Sequence, residues 1–265
     1  RKELDNTYET WSKQKIKWIP KEIDELSLQP FSLNFLSGPR QVGKTTMLKL
    51  LVNRILRGEK TGAAVDPRSV FYLSCDELTD YKELGEVLDS YLRVRDSVGI
   101  KSAYIFLDEV TFVDEWWRAV KSRIDAGALS RDVTIVTGSA SLDLLRQKEH
   151  FPGRRGQGRD VVLRPLGFRS YVDSLASGME SRATIDTLRD TDDVMAANRI
   201  HEETLGSLFA SYASTGGFPL AIREKEESGS LSEESSKKAL IDGLRGDWLR
   251  AGRSERFMKE VIAYI

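Results

Sequence analysis

Eight residues constrain this chain more than any others. Gly38-Pro39-Arg40-Gln41-Val42-Gly43-Lys44-Thr45 reads GxxxxGK[ST] and lies between a strand pattern and a helix pattern. Upstream, Phe31-Ser32-Leu33-Asn34-Phe35-Leu36-Ser37 alternates apolar and polar residues, which predicts a half-buried strand ending at a glycine. Downstream, apolar residues recur at helical spacing from Lys44 to Leu56, with basic residues near the end and a stop at Gly58. The glycines let successive N–H groups curl into a concave nest for anionic oxygens. The unpaired N–H groups and the positive dipole end of the following helix point at the same place. Gly38, Pro39, Arg40, Gln41, Val42, Gly43, Lys44, Thr45 and Thr46 therefore form the expected phosphate cradle of a nucleotide. Lys44 adds a charge near the terminal phosphates, and the Thr45 hydroxyl suits Mg²⁺.

A phosphate loop alone hydrolyses nothing, because the metal needs an acidic partner and the attacking water needs a base. Ser102-Ala103-Tyr104-Ile105-Phe106-Leu107 is a short apolar run of the buried parallel-strand kind, and it ends in Asp108-Glu109. Ligands of open α/β sheets bind beyond the carboxyl ends of the strands. Asp108 is accordingly assigned to the Mg²⁺ shell and Glu109 to the water, as a Walker B pair. The rival pair, Asp76-Glu77, follows another strand pattern but reads as a solvated helix entry, with Asp80 and Glu83 as a capping pair.

A further strand, Asp132 to Thr137, ends in Gly138-Ser139-Ala140-Ser141. Ser139 is a candidate for sensing the γ-phosphate or the attacking water, and helix capping by Ser139 or Ser141 is the alternative. Next comes Gly153-Arg154-Arg155-Gly156-Gln157-Gly158-Arg159, a glycine-flanked arginine cluster. Arg154 or Arg155 is a candidate arginine finger, in cis or in trans; a solvated basic loop or a nucleic-acid contact is the other reading.

GPRQVGKTT, YIFLDEV, TGSAS, PGRR, RPLGF and Gly216-Gly217-Phe218-Pro219 occur in an order that resembles prokaryotic AAA+ ATPases, archaeal and bacterial, near the STAND NTPases. The resemblance covers roughly residues 31–222. It implies ATP with Mg²⁺ as the ligand pair, Lys44 and Thr45 on phosphate and metal, Asp108 and Glu109 as Walker B, Ser139 as sensor and Arg154 as the arginine. Relatives of this kind continue past the GGFP stretch into a winged helix, whereas this chain stops at Ile265 in an amphipathic helix pattern. DNA binding by such a region, or a protein partner, is the implied output.

Alternating strand and helix patterns over residues 31–166 predict an α/β P-loop NTPase domain, a three-layer sandwich with a mostly parallel sheet. Residues 1–30 are expected as a partly helical lead-in, and 167–265 as a smaller helical, lid-like region truncated before a winged helix. Arg223–Lys238 reads as a loop or linker. Val113, Trp117, Val120 and Ile124 fall on one helical stripe, which assigns Trp117 to the core and leaves Trp116 freer, a candidate partner surface with partial burial the more frequent explanation. Forty Lys and Arg against 41 Asp and Glu leave a net charge of −1, so nothing pulls the whole chain towards nucleic acid. With one cysteine, Cys75, and no long apolar run, a reducing cytoplasm is expected, with no membrane span. His150 and His201 have no ligand-spaced neighbours and are assigned no metal.

Two functions fit this pattern: an ATP-hydrolysing conformational switch or motor, and a nucleotide-gated protein- or DNA-binding module with negligible turnover. A small-molecule kinase fits the Asp-Glu pair less well, and no Asn-Lys-x-Asp motif reads guanine.

Overall fold

The computed structural model describes residues 6–138, 144, 146–175, 191–229, 241, 245–246, 248–249 and 254–263. By internal packing the chain divides into two units. The first comprises Arg1–Trp11, Ile19–Arg164 and Gly243–Ile265, and the second Ser12–Trp18 and Pro165–Asp242.

The first unit is built on five strands: β1 (Ser32–Ser37), β2 (Val70–Ser74), β3 (Tyr104–Asp108), β4 (Val133–Gly138) and β5 (Asp160–Val162). They pair in the order β2-β3-β4-β1-β5, every pair parallel. Chain-order neighbours β1 and β2 are therefore separated by two strands, and helices carry the crossovers: α2 (Lys44–Leu56), α3 (Tyr81–Ser97) and α4 (Trp116–Asp125). A helix α1 (Asn6–Lys13) and a short 3-10 turn, Lys21–Asp24, precede β1.

All six residues of β1 are buried, not alternate ones as the polar pattern predicts. The polar members pay for burial with tertiary hydrogen bonds. Asn34 Nδ2 donates to the Ser27 carbonyl at 2.9 Å, and Asn34 Oδ1 accepts from the N–H groups of Ser27 at 2.9 Å and Arg159 at 3.0 Å. A central parallel strand is covered on both faces, and Asn34 satisfies the segments that cover this one.

The tryptophan assignment is corrected for one of the pair: Trp117 packs on the core as expected, and Trp116 belongs to the core as well. Trp116 is fully buried and packs against Phe35 and Phe151, with ring centroids 6.3 and 5.9 Å away. Trp117 is half-buried and stacks on His150 at 3.9 Å. The cause is the start of α4: Glu115 is left-handed (φ 49°) and Val113 is extended, so Val113 never joins the helical stripe. Trp116, Ala119 and Val120 form the buried face instead. The Asp80 cap is as expected, its carboxylate accepting from the N–H groups of Lys82 at 2.8 Å and Glu83 at 3.0 Å. Glu83 reaches back to the Thr79 N–H at 2.9 Å.

The second unit holds α5 (Phe168–Leu175), α6 (Thr191–Ala197), α7 (Glu202–Thr215) and α8 (Pro219–Ser228) around Leu166, Tyr171 and Ile222. The GGFP stretch is the hinge between α7 and α8. Gly216, at φ 59°, caps α7, while Pro219 opens α8 at a position where its missing N–H costs nothing. Arg223–Ser228 is thus helical rather than linker, ended by the left-handed Gly229. Glu255–Ala263 forms α9, in the stretch read as an amphipathic helix. Among the described residues no helix is long and apolar enough to cross a membrane.

Candidate functional site

The phosphate loop is held where β1 ends. Gly38 passes so close to β5 that a Cβ would lie 2.4 Å from the Leu163 carbonyl oxygen, while the Leu163 N–H donates to the Ser37 carbonyl at 2.8 Å. Only glycine fits there, so this residue serves the sheet as well as the loop. Val42 is fully buried and pins the loop from beneath. Gly43, at φ 99°, turns the chain into α2, whose first residue is Lys44. The Lys44 side chain is buried to 4% exposure and its ammonium donates to the carbonyls of Gly38 at 3.0 Å and Pro39 at 3.1 Å, folding back across the loop. Thr45 and Thr46 are half-buried in the first turn, as is Arg40 in the loop, while Gln41 is exposed at φ 60°.

Asp108 is the last residue of β3 and is 1% exposed. Its register is explicit: Leu107 pairs with Val136 of β4, and Ser37 of β1 pairs with Gly138 of the same strand. One strand separates the loop from the carboxylate, a gap of about 10 Å at the usual strand spacing. Both Asp108 oxygens are engaged. The Tyr72 hydroxyl donates to Oδ2 at 2.7 Å, and the Thr137 hydroxyl donates to Oδ1. Thr137 Oγ1 also accepts from the Glu109 N–H at 3.0 Å, so one hydroxyl orients the aspartate and fixes the backbone of the glutamate. Glu109 is half-buried in a left-handed conformation, φ 56° and ψ 40°. That costs on the order of 1 kcal/mol.

Asp108 forms no ion pair among the described residues. A buried carboxylate that accepts only from neutral hydroxyls is expensive unless a cation joins it. Hard oxygen donors, Asp108 and the Thr45 hydroxyl, suit Mg²⁺. The negative field is felt next door, where burial first and then the charges of Asp108, Asp76 and Glu109 push the Cys75 thiol up to about 12. Cys75, fully buried, stays a protonated wall residue. Asp76 accepts from the Ser74 hydroxyl at 2.6 Å and, like Glu77, is exposed, as expected of a solvated entry.

The structure thus brings Lys44, Thr45, Asp108 and Glu109 to one end of the sheet. It does not bring Arg154 there. The Arg155 carbonyl accepts from the Leu33 N–H at 3.0 Å and Gly156 bridges Ser32, so the arginine segment runs beside the start of β1, the end opposite the loop. The Arg154 guanidinium donates to Asp125 at 2.5 Å, and Arg155 to Asp160 at 2.7 Å. The flanking glycines serve this course: a Cβ on Gly158 would lie 1.9 Å from the Leu33 carbonyl oxygen. Gly156 and Gly158 admit the backbone of Phe31 and Leu33, while a Cβ on Gly153 would meet nothing within 4 Å. The arginine whose backbone reaches the loop end is Arg164, exposed and next after Leu163. Ser139 lies outside the described residues.

Tyr72 and Thr137 were not singled out by sequence. Thr137 had a signal, a hydroxyl residue just before the Gly-Ser strand end beside the acidic pair. Tyr72 had none, because an aromatic in a strand ordinarily means packing.

A parallel sheet with β1 flanked by β4 and β5, and a glycine loop feeding a helix, defines a P-loop NTPase-like α/β fold. The family model described as AAA domain matches residues 30–172, more than half of the chain, and the chain belongs to that family. It is an ATP-binding domain of the AAA+ class. No curated protein matches the sequence. Among solved structures, the chain is similar to the ORC1 protein of Aeropyrum pernix in complex with DNA, at 19% identity and a TM-score of 0.41, covering 54% of this chain and 42% of that one. It is also similar to the A. pernix ORC2 protein in ADPNP-ADP complexes, at 15% identity and 0.42, covering 81% and 62%. The Walker-type ATPase paby2304 of Pyrococcus abyssi matches at 17% identity and 0.40, covering 92% and 75%. The chain therefore spans less than half the length of the first of these.

Proposed function

We propose that this domain binds Mg·ATP between the Gly38–Thr46 loop and Asp108 and hydrolyses it, using the change to drive a conformational switch or motor. The observation that carries the reading is Asp108: fully buried, without an ion pair among the described residues, one strand away from the loop. In this reading Lys44 exchanges the Gly38 and Pro39 carbonyls for phosphate oxygens, and the loop N–H groups cradle the rest. Thr45 and Asp108 hold Mg²⁺, which when bound neutralises charge on the terminal phosphates. Glu109, its main chain anchored on Thr137, orients the attacking water and accepts its proton. Ser139, next after Gly138, remains the proposed γ-phosphate sensor.

Mg²⁺-dependent release of phosphate from ATP by the purified protein tests this. Glu109→Gln is expected to lower turnover by about 10²–10⁴-fold while ATP binding persists. Equal turnover in the two proteins contradicts the role of Glu109.

One observation favours a second reading, a nucleotide-gated binding module with negligible turnover of its own. Arg154 and Arg155 are paired with Asp125 and Asp160 at the far end of the sheet. An arginine finger contributes about 10³–10⁵ in rate, so a lone copy without one turns over slowly. Arg154 would then act in trans, on the loop of a second copy, once its Asp125 contact opens. The partner moved by the cycle is a protein or, as in the similar ORC1 complex, DNA. Single-turnover assays across protein concentration separate the two readings. Turnover per chain that rises with concentration, and does so only with Arg154 present, supports a finger in trans.

A further inference from the structure

We infer that Tyr72 is a positioning residue for the metal-binding aspartate, and that Lys49 of the phosphate-loop helix tunes it; this rests on the Mg·ATP reading above. Tyr72 of β2 pairs with Phe106 of β3, and Ser74 pairs with Asp108. Tyr72 therefore stands two residues short of the aspartate on the same face of the sheet, a displacement of about 6.6 Å along the strands. A tyrosine spans that distance, and its hydroxyl donates to Asp108 Oδ2 at 2.7 Å.

The donor meets an acceptor that has no ion pair among the described residues, and it is one of only two side-chain groups there that orient this carboxylate. A carboxylate offers about four lone-pair sites. With one taken on Oδ1 and one on Oδ2, it keeps acceptor capacity on both oxygens while its plane is fixed. That is the usual work of groups behind a metal ligand.

Above the same ring sits the Lys49 ammonium, 3.1 Å from the centroid. A cation on the π face draws density out of the ring and strengthens the O–H as a donor. Lys49 belongs to α2, one and a half turns after Lys44. The helix that begins at the phosphates is thereby joined through one ring to the carboxylate across the gap.

The test is equilibrium binding of a fluorescent, non-hydrolysable ATP analogue to the full chain, titrated with Mg²⁺ and repeated in EDTA. Phenylalanine keeps the ring and removes only the donor. Tyr72→Phe is expected to raise the half-saturating Mg²⁺ about tenfold and to leave affinity in EDTA within about twofold. Lys49→Gln should give a smaller rise, Lys49→Arg should restore wild-type behaviour, and Lys49→Gln should add nothing in the Tyr72→Phe background. An unchanged Mg²⁺ titration in Tyr72→Phe overturns the inference, as does an equal loss with and without metal, which marks a packing role. If wild type itself binds the analogue without regard to Mg²⁺, the Mg·ATP reading fails instead.

Discussion

Two buried aspartates at opposite ends of the same sheet have met opposite fates. Asp132, at the amino end of β4, is fully buried, bonded to the Ala103 N–H at 2.7 Å and paired with the Arg95 guanidinium. Burial is the largest influence on its carboxyl and pushes it up, against which the Ala103 N–H and Arg95 pull. Asp108, at the carboxyl end of β3, is as deeply buried but accepts from two hydroxyls and makes no ion pair among the described residues. The same side chain at one end is paired with an arginine and at the other is held by two neutral hydroxyls. The arginines repeat the lesson: Arg95 and Arg154 are committed to aspartates at the amino end. Among the described residues, charge is neutralised internally at the amino end of the sheet and left without an ion pair at Asp108.

The largest effect that could break this contrast is in stability. Asp132→Ala takes from Arg95 its buried partner, leaving it the exposed Asp96, and strips the Ala103 N–H of its acceptor; it is expected to cost about 3–5 kcal/mol. Asp108→Asn removes a buried charge and is expected to leave stability unchanged or raise it by about 1–2 kcal/mol. Urea unfolding of both variants checks the pair, and a comparable loss in each would erase the distinction. Next in size is Thr137→Val, which removes the hydroxyl that accepts from the Glu109 N–H and donates to Asp108. It should cost about 1–3 kcal/mol and lower turnover as well, whereas a stability loss with full turnover would make Thr137 merely structural. Smallest is Arg154→Ala. Breaking its half-exposed pair with Asp125 should cost less than about 1 kcal/mol, with ATP affinity unchanged, since the pair lies at the far end of the strands. A large loss of ATP affinity in this variant would place Arg154 in the site of its own chain.

What was legible in the sequence was whatever a short segment decides for itself. The GPRQVGKTT loop, the Asp-Glu strand end and the Asp80 cap are local chemistry and stand where their patterns put them. What was not legible depends on distant partners. Asn34 looks like the polar side of a half-exposed strand until Ser27 and Arg159 supply its hydrogen bonds. Trp116 looks freer than Trp117 until a left-handed Glu115 delays the helix to Trp116 and buries it. The glycines after Arg155 read as access to a ligand, yet the space at Gly156 and Gly158 is filled by the backbone of Phe31 and Leu33. The hydroxyls of Tyr72 and Thr137 meet on Asp108 only because β2, β3 and β4 are neighbours in that order.

The central claim is the proposal that Asp108, which makes no ion pair among the described residues, holds a metal beside the loop-bound phosphates. Titration calorimetry of ATP into wild type and Asp108→Asn, each with Mg²⁺ and with EDTA, tests it most directly. The account predicts that Mg²⁺ tightens ATP binding by wild type at least about tenfold, and that Asp108→Asn binds ATP with the same weak affinity in both buffers. An undiminished Mg²⁺ dependence in Asp108→Asn would contradict it.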